Sequence, residues 1–144
     1  MWLTKAKEEI QKSSKESSVY IGCDSRRIAA KNKAVYSVVV ILHRDSSKGC
    51  AIFRERRVIP DYGNLRQRLL TEVQIAVEVA LEIAEVVDDR KLEIHLDINP
   101  NPKYKSSVVV KEATGWVKSA LGLDAKIKPD GFAATAAADH WVRK

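Results

Sequence analysis

The 144-residue chain has no apolar run approaching the roughly 20 residues that a bilayer-spanning helix needs, and Met1 to Ser18 is polar where a signal peptide is apolar. Both absences point to a cytoplasmic protein. There are only two cysteines, Cys23 and Cys50, without metal-ligand or CxxC spacing, so both are expected as reduced, small core residues. The chain contains no glycine-rich phosphate loop, no HExxH and no GxSxG. Nucleotide kinases, zinc hydrolases and Ser-His-Asp hydrolases therefore lack their machinery here. Repeats, linkers and low-complexity tracts are missing too, and at this length one domain over residues 1–144 is expected.

What is present is an adequate core and a positive balance. Hydrophobic residues make up 45% of the chain, enough to fill one interior, and the formal net charge of +6 favours anionic partners, commonly nucleic acid. Residues 1–17 read as an N-terminal helical extension, helical over Leu3 to Ile10, that leans on the domain rather than building its core. Three β-type runs follow, Ser18 to Asp24, Ala34 to Arg44 and Gly49 to Val58, separated by short polar turns that imply an antiparallel meander. The period then changes. Asn64 can cap a helix with Gln67 three positions on, and Leu65, Leu69, Ala76, Val79, Ala80 and Ile83 recur at helical spacing, predicting a helix over 65–87.

Lys91 to Ile98 alternates as a strand and stops at Asn99-Pro100-Asn101-Pro102. A second helix is expected from Ser106 or Ser107 to Leu121, ended by Gly122 as a left-handed cap. A short strand, Asp124 to Lys128, and an alanine-rich helix, Phe132 to Val142, complete the order β-β-β-α-β-α-β-α. Right-handed crossovers turn that order into a mixed five-stranded sheet with helices on its faces.

Four carboxylates stand out on these elements. At about 100° per residue, Leu65, Leu69, Ala76, Val79 and Ile83 all fall within roughly 60° of Glu72, while Glu78, Glu82 and Glu85 project from the opposite side. A carboxylate on the core side is costly unless it is paired, with Arg26 or Arg68 for instance, or metal-bound. Asp24 and Asp97 each follow an apolar strand, where open α/β sheets place ligands, although aspartate also serves simply to cap turns. Asp139 shares a helix face with Phe132, Thr135 and Ala136, and His140 beside it is a candidate for proton transfer, as is His95. Carboxylates in number suit Mg²⁺ or Mn²⁺, hard cations that prefer oxygen ligands.

The segments Gly22-Cys23-Asp24-Ser25, Arg68-Leu69-Leu70-Thr71-Glu72, Leu96-Asp97-Ile98-Asn99 and Ala138-Asp139-His140 resemble the acidic quartet of the ribonuclease H-like superfamily. Within it the chain is similar to the bacterial YkuK-like group. The resemblance implies the ribonuclease H-like fold. It also implies that Asp24, Glu72, Asp97 and Asp139 are catalytic and metal-binding residues of a nuclease using Mg²⁺ or Mn²⁺. RNA, RNA/DNA hybrid or structured DNA would be the substrate. The alternative is an inactive module of this fold that binds nucleic acid or a protein partner. Ser25 and Arg26 after Asp24 leave no Asp-x-Glu, which argues against the proofreading exonuclease branch. Arg26, Arg27, Lys103, Tyr104 and Lys105 flank the expected site as candidate nucleic-acid contacts, whereas Arg54, Arg56 and Arg57 suit either that role or protection of a sheet edge.

Overall fold

The three β-type runs pair as a meander of long strands, β1 (Ser18–Ile28), β2 (Lys33–His43) and β3 (Cys50–Pro60). The computed structural model describes residues 2–46, 48–61 and 63–127, apart from the side chain of 108. Central β2 is buried at nearly every position, which explains why it reads as one continuous apolar run. Edge strand β3 alternates between half-buried and exposed residues. It ends at Pro60, a residue that edges tolerate.

Helix α2 (Leu65–Val87) begins at Asn64, whose side chain accepts from the Gln67 amide at 3.0 Å. That is the expected cap, and it supplies one of the amides that a helix start leaves without an internal partner. Leu69, Val73, Ala76, Val79, Ala80 and Ile83 form its buried stripe, and Glu78, Glu82 and Glu85 are exposed. Strand β4 (Lys91–Leu96) returns parallel to β1, giving the sheet order β3-β2-β1-β4. Helix α3 (Val110–Leu121) follows a 3-10 turn at Lys105–Val109 and ends at Gly122, which has φ of 71° as a left-handed cap requires.

Several expectations need correction. Among the described residues the sheet has four strands, and of the expected fifth they contain a single bridge, in which Lys126 pairs with His95 beside β4. The final helix, with Asp139 and His140, lies outside the described residues. Helix α1 (Trp2–Lys12) does more than lean on the domain, because Leu3, Ala6 and Ile10 belong to the same buried cluster as α2 and the sheet. Cys23 is buried as expected, but Cys50 is exposed at the start of the edge strand.

A buried arginine ties α1 to this core. The Arg90 guanidinium donates to the carbonyls of Ser13 at 2.7 Å, Ser14 at 3.2 Å and Gln11 at 3.4 Å, and to those of Val86 at 2.9 Å and Val87 at 3.4 Å. These carbonyls lie at the C-terminal ends of α1 and α2. There, helices leave acceptors unpaired and carry partial negative charge. Among the described residues, no helix is long and apolar enough to cross a membrane.

Candidate metal and nuclease site

The register of β1 against β4 locates the site. Their parallel pairing runs from Ser18 with Lys91 to Cys23 with Leu96 and stops. Asp24 and Asp97 are each the next residue, on neighbouring strands about 4.8 Å apart. Strand β1 itself continues to Ile28 against β2, so Asp24 is not at its end, as the sequence suggests, but at the point where β4 leaves it.

Cys23 packs in the core under α2, and Ser25 donates its hydroxyl to Glu72 Oε2. The Ser25 backbone amide in turn donates to Asp24 Oδ1 at 2.9 Å. Ser25 thus links the two acids. Glu72 is 4% exposed and Asp24 6%. Burial pushes the Glu72 carboxyl well above the usual carboxylate range, and the negative charge of Asp24 raises it further. The Ser25 hydrogen bond and Arg68 oppose this, while Asp97 adds to it. Asp24 and Asp97 therefore both act on Glu72 where β1 and β4 part.

They are not gathered as finished ligands. Alternation along β1 turns Asp24 away from the face of Cys23 and Ser25, whereas Glu72 approaches from α2 on that face. Among the described residues, no three His, Cys, Asp or Glu side chains are grouped so as to hold a metal ion. The donor chemistry nevertheless suits a hard divalent cation, because buried carboxylates that raise one another's energy gain from a positive charge between them.

The surrounding residues divide by role. Arg26 is exposed, two residues beyond Asp24 on the same alternation of β1. Arg27 makes a 2.9 Å ion pair with buried Asp61, and its guanidinium lies against Gly63 just before α2. Lys103, Tyr104 and Lys105 are all exposed after β4, with Lys103 Nζ 5.1 Å from the Tyr104 ring centroid. Their loop is shaped by Asn99 and Asn101, which accept from the Asn101 and Lys103 amides at 2.9 and 3.1 Å. His95 is fully buried, bonded to Glu93 at 2.9 Å and 5.3 Å from the Tyr20 ring. Burial lowers its pKa against the pull of Glu93, so it serves as a packed, hydrogen-bonded residue beneath Asp97.

Two features of the site escape sequence reasoning. The Ser25 hydroxyl on Glu72 depends on a contact across 47 positions. Tyr36 on β2 shares a side-chain hydrogen bond with Thr71, next to Glu72, and burial pushes its phenol to about 12. No local pattern encodes either pairing.

An antiparallel meander joined to a parallel fourth strand, with acids where the first and fourth strands separate and another on the following helix, defines a ribonuclease H-like domain. The chain belongs to the ribonuclease H-like family, whose profile matches residues 3–143. It is similar to the uncharacterized protein YkuK of Bacillus subtilis (strain 168), with 26% identity over 157 aligned positions covering 98% of this chain and 88% of that protein.

Proposed function

We propose that this protein is a divalent-metal-dependent nuclease that hydrolyses phosphodiester bonds in RNA, RNA/DNA hybrid or structured DNA. The observation that carries the reading is the buried Glu72 carboxylate raised by Asp24 and Asp97 at the parting of β1 and β4. Asp24, Glu72 and Asp97 would hold Mg²⁺ or Mn²⁺, with Asp139 as the fourth carboxylate and His140 available for proton transfer. Bound cations supply an activated water and neutralise charge on the phosphate and the leaving oxygen. The chain's own part is to fix the acids. Ser25 orients Glu72 through its hydroxyl and Asp24 through its amide. Arg26, Arg27, Lys103 and Lys105 contact phosphates, and Tyr104 offers a ring for stacking.

One observation favours an inactive nucleic-acid-binding module instead. The Ser25 hydroxyl already occupies a Glu72 oxygen, on the opposite side of β1 from Asp24. Labelled single-stranded RNA, hybrid, duplex and junction substrates, incubated with Mg²⁺ or Mn²⁺, separate the readings. The nuclease cleaves at least one substrate, stops when the cation is chelated, and loses cleavage in Asp24→Asn and Asp97→Asn. Metal-dependent cleavage that survives both substitutions sinks the proposed site; salt-sensitive binding without cleavage supports the module.

A further inference from the structure

The arginines of the described chain are mostly engaged with partners. Arg90 spans two helix ends, Arg27 is paired with Asp61, Arg57 with Glu55 at 2.7 Å, and Arg66 with Glu112 across the outer side of α2 and α3. Arg68 is different. It is half-buried, one turn before Glu72 on α2, and so lies on the inward side of the helix where Arg66 lies on the outward side. Its Nε is buried without a hydrogen-bond partner, and the side chain forms no ion pair among the described residues.

A buried guanidinium Nε without an acceptor is uncommon, since burial removes the hydration that would otherwise satisfy the donor. The simplest structural role, counter-ion to Glu72, is not the one Arg68 fills. The Glu72 oxygen is taken by the Ser25 hydroxyl, and Arg68 influences Glu72 less than burial, Asp24, Ser25 or Asp97 do. Its charge acts on both the Glu72 carboxyl and the Tyr36 phenol of β2, on the side of α2 that carries Glu72. A planar fork beside metal-binding carboxylates suits an anion that offers two oxygens. A phosphodiester group meets each requirement.

We propose that Arg68 is a phosphate-binding residue that grips the substrate backbone at the edge of the acid cluster. The inference rests on the nuclease reading above and adds a positioning residue to it. Arg68 holds the nonbridging oxygens of a phosphate next to the acids and so sets where the backbone crosses α2. It takes no part in bond breaking. Lysine in its place keeps a positive charge but loses the two-oxygen fork.

The test measures binding of the labelled nucleic acid that the parent cleaves fastest, in chains carrying Asp24→Asn so that cleavage does not intervene, over about 50–200 mM salt. Arg68→Ala is expected to weaken binding about tenfold at low salt and to lower the slope of log affinity against log salt by about one. Arg68→Lys is expected to restore the slope but only part of the affinity. An unchanged slope in Arg68→Ala, with intact binding by Asp24→Asn alone, overturns the role of Arg68 and leaves the nuclease reading standing. If the parent cleaves none of the labelled substrates in Mg²⁺ or Mn²⁺, the nuclease reading falls and the Arg68 role with it. Thermal unfolding adds the control for a structural role: a counter-ion of Glu72 would make Arg68→Ala destabilising in the parent but neutral in Glu72→Gln, with no change in slope.

Discussion

Glu72→Gln is expected to lower metal-dependent cleavage by about 10³-fold, or about 4 kcal/mol of transition-state stabilisation, while making the metal-free protein more stable. Glutamine keeps the shape and can still accept from the Ser25 hydroxyl. It removes a buried charge that burial, Asp24 and Asp97 all disfavour. The gain at pH 7 is read as a higher urea midpoint for Glu72→Gln than for the parent.

The pH dependence gives that gain its sign. A carboxyl whose folded pKa lies above its unfolded value binds more protons in the folded state, so its contribution to stability falls as pH rises past the ordinary carboxylate range. Urea unfolding from pH 4 to pH 8 checks this, with the parent's decline in that window reduced in Glu72→Gln. Equal or greater destabilisation of Glu72→Gln at pH 7 contradicts the account. Such opposition between stability and activity is what a strained functional site predicts.

Arg90→Ala is expected to destabilise the chain by about 3 kcal/mol and lower its melting temperature by roughly 10 °C. The guanidinium gathers carbonyls from two helix ends, and truncation leaves them without their charged donor in a buried setting. The Ser13 hydroxyl, which accepts from Nε at 3.1 Å, loses its donor as well. Arg90→Lys is expected to recover only part of the loss, because one ammonium cannot reach both sets of carbonyls. Limited proteolysis reports the consequence directly: α1 should be released first, although Leu3, Ala6 and Ile10 still favour docking. A melting temperature within a degree or two of the parent's would show that α1 is held by its apolar contacts alone.

These two sites differ in how far they are written in the sequence. Helix α2 is legible to its ends because its period, its Asn64 cap and the placement of Glu72 among apolar residues are all local. The adjacency of β1 and β4 is what the ribonuclease H-like resemblance implies, and it sets Asp24 and Asp97 just past the paired stretch of neighbouring strands. The continuation of β1 through Ser25-Arg26-Arg27-Ile28 is not legible, since this largely polar stretch joins the strand only by pairing with Lys33 to Tyr36. Cys50 looks like a core residue until β3 is known to be an edge. The reach of Arg90 to Ser13 spans 77 positions, and nothing near either residue announces it. For the site itself, the sequence proposes the acids, but the face from which Asp24 and Glu72 approach depends on strand alternation and on the Ser25 hydrogen bond.

That geometry makes cation binding the point on which the reading turns. The decisive measurement is titration of Mn²⁺ into the parent, Asp24→Asn and Asp97→Asn, followed by the electron spin resonance of the free ion. The account predicts saturable binding by the parent, weakened at least about tenfold by each substitution. Binding of equal strength in all three proteins, or none in the parent, would contradict the assignment of these acids to a metal site.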